Sequence, residues 1–337
     1  MKFIVTGSAG FIGFHLARRL LADGQTVHGI DGFTAYYDRD LKHARNKILE
    51  ASDKFTPHVA MLEDMTAVHE IFERVRPDIV VHLAAQAGVR YSLTNPSAYI
   101  ESNLVGTFNI LELVRKFPVR HLIAASTSSV YGMETASVFA EQTATDRPVS
   151  LYAATKKSTE VISHAYSHLF GIPTTFTRFF TVYGPWGRPD MALYSFVADI
   201  SKGRPIDVYG EGRMSRDFTY IDDVVEALSR LVDVVPSDGG PQIADDTLSP
   251  IAPWRVVNIG NGAPVKLMDF VASIEKHVGA KANIRLLPMQ PGDVASTHAD
   301  TRLLQSLTGF QPNTSLDDGV GAFMDWYRTY TATTTVS

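Results

Sequence analysis

Tyr152 and Lys156 stand four residues apart in Tyr152-Ala153-Ala154-Thr155-Lys156, at the start of a stretch that reads as a helix, so their side chains share one helix face. Upstream, an apolar run that reads as a strand ends in the hydroxyl cluster Ser126-Thr127-Ser128-Ser129. Residues of these types can oxidise an alcohol carbon. Taking hydride from that carbon requires taking the hydroxyl proton too, and a phenolate can accept it. A free tyrosine titrates near ~10, so a base working near neutrality needs a lowering of roughly three units, or ~4 kcal/mol. A lysine ammonium one turn away and the positive ring of an oxidised nicotinamide would supply it in a desolvated site. Thr127 is placed to hydrogen-bond the reacting oxygen.

A nicotinamide cofactor needs a cradle, and the N-terminus offers one. The apolar run Lys2–Thr6 leads directly into Gly7-Ser8-Ala9-Gly10-Phe11-Ile12-Gly13 and then an amphipathic stretch. Gly7 would make the tight turn, Gly10 would admit a pyrophosphate, and Gly13 would let the helix pack closely on the strand. The pyrophosphate would then sit on a helix N-terminus, where free N–H groups favour an anion. Asp31, about 20 residues beyond the glycines, ends the second strand, where a carboxylate accepts from the adenosine ribose hydroxyls. A 2′-phosphate would meet a like charge there, so the expected cofactor is NAD rather than NADP. Asp64-Met65 is expected to frame the adenine, and Leu83-Ala84-Ala85-Gln86 to line the cofactor with small residues.

These groups require an alternating framework. Strands are expected at Lys2–Thr6, Thr26–Ile30, Val59–Leu62, Ile79–Leu83, His121–Ala125 and Thr174–Phe179, with helices at Phe11–Ala22, Leu41–Ala51, Ala67–Val75, Pro96–Arg115 and Tyr152–Phe170. Strands bounded by helices of such length give βαβ units, and near-continuous apolar strands such as Ile79-Val80-Val81-His82-Leu83 suit a sheet covered on both faces. The expected fold is α/β, a Rossmann-type doubly wound parallel sheet over residues 1–180 with a smaller substrate-binding domain over 181–330. Part of 218–262, with a strand at Val256–Ile259, returns to the first domain; Val235–Pro253 reads as a surface loop, 264–278 and 315–330 as helices, and Thr331–Ser337 as frayed.

Composition narrows the class. Apolar residues are 45% and charged residues 20% of 337, the balance of a globular protein. Without cysteine there is no disulfide, iron–sulfur cluster or thiolate zinc site, and a net charge of −5 argues against a nucleic-acid partner. No run is long and apolar enough to span a membrane, and the sequence opens on a strand rather than a secretory leader, so a cytoplasmic location without membrane attachment is expected. His164 and His168 share a helix face, but lack a third ligand, so no metal is expected. Tyr36-Tyr37 reads equally as a lid over a ligand or as a packed loop.

The motifs TGSAGFIG, SSVYG, YAATK and RDFTYIDDV together resemble the extended short-chain dehydrogenase/reductases of the nucleotide-sugar epimerase family, over essentially residues 1–330. More narrowly, RFFTVYGPWGRPDMA from Arg178, GIDGFTAYY from Gly29 and AQAGVRYSL from Ala85 resemble the UDP-glucuronate 4-epimerases. The resemblance implies NAD held throughout the cycle, Thr127, Tyr152 and Lys156 as catalytic residues, Asn103 among the cofactor contacts, and Arg216 at the UDP phosphates. It also places Arg90 with the sugar nucleotide and implies a homodimer paired through the helices Pro96–Arg115 and Tyr152–Phe170.

The resemblance leaves a choice of reaction. Oxidising C4 of UDP-glucuronate gives a β-keto acid, which a decarboxylase cleaves and an epimerase protects. UDP-glucuronate decarboxylases typically carry glutamate where this chain has Ser129. A carboxylate there would repel the sugar's own, whereas Ser128, Ser129 and Thr181 can donate to it, with Arg188 adding charge. UDP-glucose 4-epimerases usually carry asparagine at the place of Thr181. Inversion at C4 of UDP-glucuronate is therefore the expected activity, with decarboxylation and UDP-glucose epimerisation as alternatives. A catalytically silent NAD-binding scaffold generally loses the Tyr/Lys pair kept here.

Overall fold

The computed structural model describes residues 1–133, 137–240 and 243–334. Alternation along each strand decides which face a side chain serves. In β1 (Lys2–Thr6) Phe3 and Val5 enter one apolar cluster and Ile4 another on the opposite face. With β2 (Thr26–Asp31), β3 (Phe55–Val59), β4 (Ile79–His82), β5 (His121–Thr127) and β6 (Thr174–Phe179) it forms a parallel sheet in the order 3-2-1-4-5-6. Ile79 and Val81 of β4 face the first cluster and Val80 the second, so the central strands are buried on both faces, as their sequences require. Crossover helices cover both faces, giving the doubly wound Rossmann-type arrangement.

Past β6 the chain builds β7 (Thr181–Tyr183), β8 (Pro205–Val208) and β9 (Ser215–Tyr220) before β10 (Trp254–Ile259) returns to pair in parallel with β6 as the seventh strand. β11 (Pro264–Lys266) joins β9 and β7 in a three-stranded sheet, and β12 (Asn283–Leu286) pairs with β8. A separate apolar core holds this second body together, with Val197, Val208, Phe270 and Phe323 at its centre. The helix Ile221–Leu231 belongs to the first body instead: Ile221, Val224, Leu228 and Leu231 pack into the main-sheet cluster with Phe14. Its apolar spacing of three, four and three residues is the helical signal of an element the sequence reading left unassigned.

Several expected elements shift. The third strand is Phe55–Val59 rather than Val59–Leu62: Phe55 is 7% exposed and Val59 76%. The run Ala60-Met61-Leu62 leaves the sheet, and its apolar character lines the ligand cavity described below. The helix expected over Pro96–Arg115 contains a π-helical stretch, Ile100–Val105, between α-helical turns. Over 264–278, the strand Pro264–Lys266 precedes a helix that begins at Leu267. The last helix runs Leu316–Thr334, beyond the expected fraying point at Thr331; 335–337 lie outside the described residues. Val235–Pro253 has neither helix nor strand among its described residues, yet it is anchored: Asp246 pairs with Arg255 in a buried ion pair of 3.0 Å, His164 bonds Ser249 at 2.9 Å, and His168 bonds the Ile251 carbonyl at 2.7 Å. The two histidines thus hold this loop.

Candidate active site

The glycine turn shows why no side chain fits. Gly7 has φ +73°, in the left-handed region, and a Cβ on it would lie 2.9 Å from the Ala84 nitrogen; one on Gly13 would lie 2.1 Å from the Gly7 carbonyl oxygen. The loop therefore packs backbone on backbone at the start of the helix Phe11–Ala22, leaving a cradle of N–H groups over which a pyrophosphate fits. Asp31 is fixed at its rim, accepting from the backbone nitrogens of Ala9 at 3.0 Å and Phe33 at 2.8 Å.

From this cradle a continuous cavity of about 460 Å³ runs over the C-terminal ends of the strands to the Tyr/Lys helix. Gly7, Gly10, Phe11, Ile12, Gly13 and Asp31 line one end, and Leu83, Ala84, Ala85 and Gln86 its middle. Thr127, Ser128, Ser129, Tyr152, Lys156, Thr181 and Arg188 surround the other end. Residues distant in sequence are brought together here because each ends a strand or begins a helix at the same edge of the sheet.

Five expected site residues are not in the lining of this cavity. Asp64 caps the helix Met65–Val75, accepting from the Ala67 nitrogen at 3.0 Å, and Met65 borders a separate cleft. The preceding residues Ala60, Met61, Leu62 and Glu63 line the cavity instead. Asn103 is buried behind the wall. Its amide accepts from the Gln86 nitrogen at 2.8 Å and donates to the Gln86 carbonyl at 3.1 Å, so it fixes a residue that lines the cavity. Arg90 sits beyond the lining, paired with Asp293 at 3.3 Å and stacked on Tyr209, and Arg216 lies close enough to both to feel their charges.

The catalytic candidates are held by local capping. Ser150 caps the helix Leu151–Phe170 by accepting from the Ala153 nitrogen at 3.1 Å, and this sets Tyr152 and Lys156 on the first turns facing the cavity. Thr127 ends β5 and caps the turn Ser128–Tyr131, its hydroxyl accepting from the Ser129 nitrogen and donating to the Ser129 Oγ, both at 3.2 Å. Burial pushes the Tyr152 phenol above its ordinary value, and a hydrogen bond with Thr127 and the Arg188 charge oppose the rise. Lys156 is itself 2% exposed, and burial lowers it to about 8 against the pull of Glu160.

Sequence reasoning missed the residues beneath this helix. Glu160, fully buried, accepts from Ser126 at 2.6 Å and from the Arg178 guanidinium at 2.9 and 2.8 Å, tying the ends of β5 and β6 to the helix that carries Tyr152. Its position four residues after Lys156 was the available signal. Lys42 was missed too: it lines the cavity near Asp31, 6% exposed, donating to the Thr34 carbonyl at 3.0 Å. Tyr36 and Tyr37 line the cavity as well. Arg45, wholly buried, donates to the Ala9 carbonyl at 2.9 Å and the Trp186 carbonyl at 2.6 Å, joining the cofactor turn to the segment before Arg188.

The model of the NAD dependent epimerase/dehydratase family matches residues 3–243. A Rhizobium meliloti protein named as a probable UDP-glucuronate 4-epimerase is 56% identical over 330 residues, 97% of each chain. The fold is similar to that of the Bacillus cereus UDP-glucuronic acid 4-epimerase in complex with UDP-glucuronic acid and NAD, with a TM-score of 0.88, 33% identity, and coverage of 98% of this chain and 100% of that one. It is also similar to a Thermotoga maritima UDP-glucose 4-epimerase, with a TM-score of 0.85, 26% identity, and coverage of 98% and 100%.

Proposed function

The chain belongs to the NAD dependent epimerase/dehydratase family, and from that premise we propose that it is an NAD-dependent isomerase interconverting UDP-glucuronate and UDP-galacturonate by inversion at C4. The observation that carries the reading is the company Tyr152 keeps: Ser128, Ser129, Thr181 and Arg188 border the same end of one cavity, a donor set suited to a sugar carboxylate. The glycine turn and Asp31 would hold NAD, which would supply a reversible hydride acceptor for C4. Tyr152 Oη takes the C4 hydroxyl proton and later gives it back, with Thr127 Oγ1 bonding the same oxygen. Lys156, enclosed beside it, adds positive charge that favours the phenolate.

The C4 ketone leaves the C5 carboxylate prone to depart when its bond lies along the ketone π-system. The hydroxyls of Ser128, Ser129 and Thr181 and the Arg188 guanidinium hold the carboxylate off that axis while the sugar turns over. Arg90 and Arg216, beyond the lining and close enough to feel each other's charge, are assigned to the UDP phosphates. Incubating the purified protein with UDP-glucuronate and no added NAD tests the reading: UDP-galacturonate should form. A UDP-pentose product, or a strict need for added NAD, would overturn it.

The assembly is a homodimer on the same reading. Val105 and Phe108 of one helix and Val161 and Leu169 of its neighbour are 40%, 45%, 58% and 67% exposed, an apolar face that a second copy would cover. Light scattering should give about twice the 37.0 kDa chain mass; the monomer mass at micromolar concentration would contradict it. No described helix is long and apolar enough to cross a membrane, and the activity is assigned to the cytoplasm, which cell fractionation would test.

A further inference from the structure

The segment Gly187-Arg188-Pro189-Asp190-Met191 joins two opposite charges through a proline. A residue before proline is pushed toward extended backbone, where side chains two apart lie on one side of the chain. Arg188 and Asp190 meet accordingly. The guanidinium donates from Nε to Asp190 Oδ1 at 3.0 Å and from Nη2 to Oδ2, a two-point grip. The opposite wall supplies a third member, since Tyr36 Oη donates to Asp190 Oδ2 at 3.0 Å and its ring lies 5.7 Å from the guanidinium carbon. Room for this tyrosine depends on Gly88, where a Cβ would come within 2.5 Å of the Tyr36 oxygen. Burial raises the Asp190 carboxyl, but the Arg188 hydrogen bond and charge hold it below its ordinary value, so the pair is charged at neutral pH.

We propose that Asp190 is a positioning residue for anionic-sugar recognition: it holds the Arg188 guanidinium in the reaction cavity, turned toward Tyr152, and ties it to Tyr36 across the mouth. Arg188 lines the cavity and its charge reaches the Tyr152 phenol, so the guanidinium is presented to the reacting end rather than to solvent. A free arginine side chain would spread over many rotamers, and the fork bond to Asp190 selects one. The carboxylate of a hexuronic acid benefits from a fixed guanidinium; a neutral hexose does not. The proposal rests on the reading of the substrate as a UDP-hexuronate.

The test is calorimetric binding of UDP-glucuronate and UDP-glucose to NAD-loaded protein carrying Tyr152→Phe, which blocks turnover. Adding Asp190→Ala should weaken UDP-glucuronate about tenfold, the scale of one oriented charged hydrogen bond, and UDP-glucose less than twofold. Asp190→Glu should restore part of the difference. Tyr36→Phe, which leaves the ion pair intact, should shift the same ratio in the same direction by a smaller factor, and it keeps the proposal testable if Asp190→Ala does not fold. Equal weakening of both ligands would make Asp190 merely structural and overturn the proposal. Tighter UDP-glucuronate binding would overturn it as well, because Asp190 would then shield Arg188 rather than aim it. A parent protein that binds neither sugar nucleotide would overturn the functional reading itself, a result distinct from either.

Discussion

Tyr152 carries the heaviest chemical demand, because its surroundings raise the phenol while catalysis needs it lowered. Replacing it with phenylalanine should cut turnover by a factor of about 10² or more, the contribution of a positioned general base, while UDP-sugar binding survives. Near wild-type turnover in that variant would remove Tyr152 from the mechanism. The carboxylate hydroxyls make a second demand, on product identity rather than rate. Each hydrogen bond to a charged group contributes about 1.5 to 3 kcal/mol, so the double variant Ser128→Ala/Thr181→Ala should release a 4-keto-pentose nucleotide, read by mass as loss of carbon dioxide. If only UDP-galacturonate forms, more slowly, those hydroxyls do not restrain the carboxylate. Tyr152, Lys156, Thr127 and Asp31, which line the cavity, were legible in the sequence because they sit at fixed offsets from element ends. Residues that act through others were not. Asn103 works through Gln86, and Glu160 through Arg178 and Ser126, contacts between chain segments that no local spacing reveals.

Among elements, the strongly periodic ones were legible and the edges were not. Buried central strands announce themselves as apolar runs, which is why β1, β4 and β6 fall where the sequence puts them. β3 escaped because it is an edge strand with the exposure pattern Phe55 in, Thr56 and Pro57 out, followed by a more apolar run that lines a cavity instead of a sheet. The second body escaped more fully, since its strands are three to six residues long and pair with partners up to 78 positions away, as Pro205 does with Asn283 (283 − 205 = 78), and Gly-rich turns intervene. Asp64, just past β3, caps the helix Met65–Val75. Asp64→Ala should therefore cost about 1 kcal/mol of stability, the usual worth of an N-cap, with NAD affinity unchanged by titration. A large fall in NAD affinity at constant stability would return Asp64 to the cofactor site.

Over the whole molecule, three histidines are held neutral by burial: His15 and His82 lowered to about 3, and His121 to about 4. His82 sits under the cofactor turn with both ring nitrogens engaged, by Thr6 at 2.8 Å and Thr107 at 3.0 Å. Each binds a proton more readily unfolded than folded, so stability falls as pH drops below about 6.5. Burial of Glu141, raised to about 7, works the other way between pH 4.5 and 7, because there the folded state holds the extra proton. With half-buried His58 also lowered to about 4, the histidines outweigh Glu141, and Tm should fall between pH 7 and 5; a flat or rising Tm would contradict the assignment. The order of the main sheet adds a consequence for synthesis. β6 ends at Phe179 and its outer neighbour β10 begins at Trp254, 75 residues later (254 − 179), so at roughly 5 to 20 residues per second a ribosome leaves that strand edge bare for about 4 to 15 s. Bare strand edges recruit other chains. A fragment stopped at residue 180 should accordingly be found in the pellet, whereas the full chain stays in the supernatant, and nascent chains paused in that interval are the ones a chaperone would have reason to hold.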